Sequence, residues 1–277
     1  MNSLIYLKEL FCKNARSFKQ IDDKTRLLLG IIILFNVVYI VLNGMKYFSH
    51  LHYINAKTLS MIFSAFSACA FIYVLKGNLY KTFDLSLFRM KRALIFGNIT
   101  YFLCFLLYWI YNTVMAIIYP PLGGDVQHLK QMMKVDIWQY LTIVLKYVCS
   151  LLNEELLIVA VFLIALSLFS KVSVKNVIIS SFIALIFFAL LHAFSWNFAT
   201  IPAIMMNKLP AVFLFVFFMD IKPLYIAHLF NNCWVSLTLM QGMTGTIKSL
   251  VFVIFAIPMI LYLADCAIKY ENLKGEE

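Results

Sequence analysis

Two adjacent carboxylates, Glu154 and Glu155, lie inside the apolar stretch Ile137–Ser170. A carboxylate at mid-bilayer costs about 2.5–3.5 kcal/mol on insertion scales, so such a pair is expected to have a purpose other than packing. Later apolar segments carry His192, His228 and Asn232. Carboxylates and imidazoles are the side chains that exchange protons in general acid–base chemistry. Two histidines and a glutamate could equally hold a zinc ion and leave one position open. The expectation is that these groups converge in one site inside the membrane. His228 and Asn232 are four apart, as are Phe188 and His192, so each pair shares a helix face. Asn153 and Asn231 are adjacent polar residues that read as supporting hydrogen-bond groups, and Trp196, four past His192, as an anchor or cavity wall.

Elements that can position such groups follow from composition. The 277 residues are 63% hydrophobic and 13% charged, about half the charge of an ordinary soluble domain. The apolar runs are continuous, roughly 17–30 residues long, and do not alternate as barrel strands would. The fold class is therefore all-α, a polytopic membrane bundle within the lipid bilayer. The net charge of +10 collects at segment ends, which points to topology and anionic lipid rather than to nucleic acid. The six cysteines have no zinc-framework or disulfide spacing.

Eight spans are expected, near 26–43, 58–75, 93–118, 137–170, 177–196, 209–221, 224–240 and 248–268. They divide the chain into an interfacial N-terminal segment (1–25), helices and loops up to residue 136, a core over 137–240, and a last helix with a tail over 248–277. The N-terminal segment repeats Leu4, Leu7, Phe11, Ala15 and Phe18 at helical spacing among Lys8, Lys13, Arg16 and Lys19, which suits a helix in the headgroup region and equally a partly ordered cytoplasmic tail. A basic loop is expected at 76–92 and a turn at Tyr119–Gly124. With eight spans, sixteen lysines and arginines fall on the side of the termini and six on the other, Lys208 among the six. That bias predicts a multi-pass cell-membrane protein with both termini in the cytoplasm.

Depth supports the convergence. At 1.5 Å per residue, Glu154 and His192 each lie about 25 Å from the basic residue that marks the cytoplasmic end of their span. His228 is only about 9 Å past Lys222. The preceding span, read as 209–221, covers only about 20 Å of a roughly 30 Å core. The turn Asp220–Pro223 is therefore expected to be submerged or shielded, which brings His228 level with the others.

These residues resemble the motifs of the CPBP family of intramembrane proteases, which includes the type II CAAX prenyl endopeptidases and the Abi, or bacteriocin self-immunity, proteins. The double glutamate is matched by Glu154-Glu155, Phe-x-x-x-His by Phe188 to His192, and His-x-x-x-Asn by His228 to Asn232. The resemblance covers about 90 residues, 150–240. One departure is Val159, which stands where the family has an arginine one turn from Glu155. Without that arginine, Glu155 needs another partner or stays protonated.

The resemblance implies a membrane-embedded endopeptidase acting on a membrane-associated peptide or protein. Glu154 would be the general base, His192 would help to orient or deprotonate the water, and His228 and Asn232 would stabilise the oxyanion, with Glu155 beside them. Zinc held by Glu154, His192 and His228 is an alternative to a metal-free, glutamate-dependent site. Val159 favours a second reading, a non-proteolytic scaffold, regulator or bacteriocin-immunity protein. A transporter with a glutamate pair is a third, against which stands the lack of an internal repeat.

Overall fold

A computed structural model describes residues 3–44, 53–76, 86–118, 137–193, 200–238 and scattered positions between 249 and 262. The chain is a polytopic helical bundle. Its helices are α1 (Ser3–Arg16), α2 (Asp23–Gly44), α3 (Tyr53–Leu75), α4 (Leu87–Ile118), α5 (Ile137–Ser167), α6 (Val174–Ala193), α7 (Ile201–Phe218) and α8 (Lys222–Thr238). Six of them, α2 to α7, are long and apolar enough to cross a membrane. The eighth expected span, 248–268, lies mostly outside the described residues, as do the turn at 119–124 and most of the loop at 76–92.

Local chemistry sets the helix starts. Asp22 accepts a hydrogen bond from the Thr25 amide at 2.7 Å, capping α2. Ser173 does the same for α6 through the Asn176 amide, 3.2 Å away. Pro202 and Pro223 stand in the first turns of α7 and α8, where a missing N–H leaves nothing unpaired.

The central rod is α5, which packs against α2, α3, α6 and α8. Leu156 to Ala160 are all essentially buried. Apolar side chains gain little by leaving lipid for one another, so close packing and interhelical hydrogen bonds must hold such helices together. Both are present. Phe162 of α5 meets Phe215 of α7 edge-on, with ring centroids 5.6 Å apart. Asn36 of α2 donates to Ser67 of α3 at 2.7 Å and accepts from Asn153 of α5 at 2.8 Å. Between α4 and α8 the backbones come so close that a Cβ on Gly97 would lie 2.7 Å from Ile226.

The N-terminal helix turns its apolar face onto the bundle. Ala15 and Phe18 are buried, and Phe18 packs on Phe162 and Phe215. The Asn14 amide donates to the carbonyl of Phe217, satisfying one of the carbonyls a helix end leaves open. Lys8, Lys13, Arg16 and Lys19 face outward. The segment expected at the N-terminus is thus a helix packed against the ends of α5 and α7.

The sixth span needs correction. It was expected over 209–221, with Lys208 in a loop outside the membrane. The helix instead starts at Ile201, and Lys208 is a buried residue in its interior. Lys208, Ala211, Val212, Phe215 and Val216 are all buried, and their spacing of three and four makes one inward face. The turn into α8 is shielded as expected, with Ile221, Lys222 and Leu224 buried. Met219 closes α7 in the left-handed region, φ 53°, its amide bonding back to Phe215.

Candidate functional site

Three helices deliver the acidic and basic groups, and a fourth adds a charge. Glu154 and Glu155 lie halfway along α5, His192 at the end of α6, and His228 and Asn232 on one face of α8. Lys208 comes from α7. Three tyrosines hold α8 to α5 around this level: Tyr140 to the Cys233 carbonyl at 3.5 Å, Tyr147 to the Ser236 hydroxyl at 3.0 Å, and Tyr225 to the Val148 carbonyl at 3.0 Å.

The two glutamates face different surroundings. Glu155 is fully buried and forms an ion pair with Lys208. The same oxygen lies 2.7 Å from His228 Nδ1. A carboxylate only accepts, so toward Glu155 Nδ1 is the donor; the Lys208 ammonium, itself a donor, lies farther from the same nitrogen at 3.2 Å. That leaves His228 Nε2 as the nitrogen turned toward Glu154, at 3.9 Å. His192 is arranged in parallel. Its Nδ1 lies 3.0 Å from the Phe188 carbonyl, which can only accept, so Nδ1 is the donor. Its Nε2 lies 3.9 Å from the same Glu154 oxygen, Oε2. Two imidazoles, each hydrogen-bonded through Nδ1 on the far side, thus turn Nε2 toward one carboxylate oxygen. The bond on the far side follows the logic of the orienting carboxylate in hydrolytic triads.

Phe188 ties the cluster together. Its ring contacts His192 with centroids 4.2 Å apart, meets His228 edge-on at 6.3 Å, and lies 5.0 Å beneath the Lys208 ammonium. The aromatic position of the Phe-x-x-x-His spacing therefore packs against both histidines and the lysine.

Glu154, His192 and Asn232 line a cavity of about 220 Å³. The Oδ1 of Asn232 accepts from Asn231 at 3.2 Å, which leaves the Asn232 N–H2 group as a donor. Glu154, His192, His228 and Asn232 thus come together as expected. Glu155 sits behind them as the partner of His228 and Lys208. Asn153 faces away from this site, toward Asn36, and Trp196 lies outside the described residues.

For a metal, the donors would be Glu154, His192 and His228. Their separations of 3.9 Å exceed the roughly 3.3 Å between ligands of a tetrahedral zinc with bonds of about 2.0–2.1 Å. Among the described residues no group of three or more His, Cys, Asp and Glu side chains is placed to hold a metal ion.

Sequence reasoning missed Lys208. It supplies from α7 the cation that an arginine at 159 would have placed on α5 itself. Val159 is fully buried among apolar side chains. The signal for Lys208 was available: it stands three and four residues before the apolar Ala211 and Val212, in the register of a buried face. No protein-family model, curated protein or solved structure matches this chain.

Proposed function

We propose that the chain is a membrane-embedded endopeptidase of the CPBP type, cleaving a membrane-associated peptide or protein with a water activated by Glu154. The observation that carries this reading is the single Glu154 oxygen faced by the Nε2 atoms of His192 and His228, each 3.9 Å away, beside a cavity lined by the apolar helices α2, α3, α5 and α6. Gaps of that size suit a bridging water better than direct pairing.

The chemistry runs from these positions. Glu154 takes a proton from the water, whose oxygen bonds to the peptide carbonyl carbon while the C=O electrons move onto oxygen. His192 accepts a hydrogen bond from the water at Nε2 and aligns it. Asn232 donates to the oxyanion. His228, held by Glu155, takes that same proton from Glu154 at Nε2 as an imidazolium that the Glu155 carboxylate stabilises, donates to the oxyanion, and returns the proton to Glu154 before collapse. Collapse breaks the C–N bond, and the proton carried by Glu154 passes to the leaving amine. Lys208 offsets the charge of Glu155, so His228 has an ionised partner in a buried place. With that lysine present, Val159 no longer argues for a non-proteolytic relative.

The wide donor spacing supports a metal-free reaction, so a chelator should leave peptide cleavage unchanged. The lysine and arginine bias supports both termini in the cytoplasm of a cell membrane, and it strengthens when Lys208 is moved from the outer loops into the protein. The decisive test is a Glu154→Gln variant in lipid vesicles with a fluorogenic peptide library. Cleavage should fall by about 10²–10⁴-fold, the share a general base supplies. Unchanged processing removes Glu154 from this role.

A further inference from the structure

The cavity at Glu154 does not end at the catalytic groups. Along α5 its wall continues through Ser150 to Lys146, and the spacing 146, 150, 154 places all three on one helix face. The opposite wall is built by α2 and α3, with Asn43 one residue from the end of α2 and Ser60 in the second turn of α3. This end of the cavity lies away from α1, which packs beneath Phe162, Phe215 and Phe217. Among the described residues, a groove of mixed polar and apolar lining therefore extends from Glu154 toward the end of the bundle opposite the N-terminal helix. Lys146 is half-buried on its wall, two helical turns or about 12 Å from Glu154 along the axis.

We infer that this groove admits the substrate and that Lys146 binds a carboxylate on it, about three or four residues from the scissile bond at roughly 3.3 Å per extended residue. The inference rests on the endopeptidase reading and adds to it the charge of the substrate. A lysine within an apolar span usually reaches for the interface or for a water-filled cavity. Here its place on the cavity wall, level with Asn43 and Ser60, makes it a fixed cation along the path to Glu154. A low-dielectric wall strengthens its hold on an anion.

The test uses the full chain in vesicles and paired peptides with Asp against Asn, or Glu against Gln, three and four residues to either side of the cleaved bond. A second pair, free acid against C-terminal amide, separates a side-chain carboxylate from the chain terminus. One of the pairs should favour the acid by about tenfold in kcat/KM, the scale of one hydrogen bond to a charged group. The preference should vanish in Lys146→Met, return in Lys146→Arg and reverse in Lys146→Glu. Equal rates for acid and amide in both pairs, or a preference that survives Lys146→Met, overturn the inference while leaving the endopeptidase reading intact. Equilibrium binding of the same peptides to the Glu154→Gln protein gives a second readout independent of turnover. Acid-selective binding there that depends on Lys146 supports the assignment even where nothing is cleaved, and the absence of such binding overturns it.

Discussion

Helices α2 and α5 are almost equally apolar, yet 11% of the apolar stretch of α2 is buried in the protein against 67% of that of α5. Both belong in a membrane, and only one belongs in the centre. Hydropathy measures transfer from water, and lipid satisfies an apolar face as well as protein does. What separates the two is polar content. Along α5 lie Asn153, Glu154 and Glu155, groups that must find partners inside the protein. Along α2 the one buried polar group is Asn36, and it marks the point where α2 touches the core. Polar residues, rather than apolar ones, decide which helix of this bundle is interior.

That contrast can be broken most sharply at Lys208. Lys208→Met leaves Glu155 buried without its counter-charge, which should cost about 3–5 kcal/mol, read as a lowered melting temperature in detergent. The double variant with Glu155→Gln should recover most of that loss. Full additivity of the two changes would mean that the ion pair does not organise the centre. Next in size is a pair of glycines, one in a close helix contact and one on the lipid-facing α2. Gly97→Ala puts a methyl 2.7 Å from Ile226 on the helix that carries His228, and should destabilise by about 1–3 kcal/mol, read as a lowered melting temperature. Gly30→Ala on α2 meets nothing within 4 Å, and should be neutral or stabilising by up to about 1 kcal/mol.

Smaller effects sharpen the lipid-facing side. Asn36→Leu removes the bonds that tie α2 to α3 and α5, and should cost about 0.6–1.7 kcal/mol, the range of interhelical hydrogen bonds in membranes. At Leu34, 62% exposed on α2, truncation to alanine should change the melting temperature less than Asn36→Leu does. The smallest effect belongs to Asp22. The hydrogen bond from Thr25 holds its carboxyl below the ordinary value. A carboxyl so lowered adds stability above its unfolded value and loses it as pH falls through its folded one. Amide hydrogen exchange at the start of α2 should therefore quicken as pH falls below about 4, once corrected for the intrinsic rate.

Much of the site was legible because its residues are anomalous where they stand. A glutamate pair and two histidines in apolar spans announce themselves by the penalty of putting them there. Lys208 was not legible by the same rule, since a lysine near the end of an apolar run also reads as a loop charge, and Pro210 beside it reads as a helix break. In a membrane helix neighbouring groups can compensate for an internal proline, so α7 runs through it. The tyrosine bonds between α5 and α8 were hidden for a different reason. Tyrosine is ordinary in a membrane span, and nothing in the spacing of Tyr140, Tyr147 or Tyr225 names a carbonyl or hydroxyl on another helix. The shielded turn before α8 was anticipated from a span thought too short. The span is of ordinary length, and the turn is covered by packing instead.

The ion pair between Glu155 and Lys208 joins residues 53 apart in the chain, and this sets an order on biogenesis. When α5 leaves the ribosome its carboxylate has no answering cation, because α7 has yet to be translated. Glu155 gains its counter-charge only once α6 and α7 have followed and the lysine arrives. An arginine at 159 would have travelled with its partner from the start. In this protein the completion of the site is tied to a later segment, so a chain that ends before Lys208 carries an acid in α5 without its answering cation.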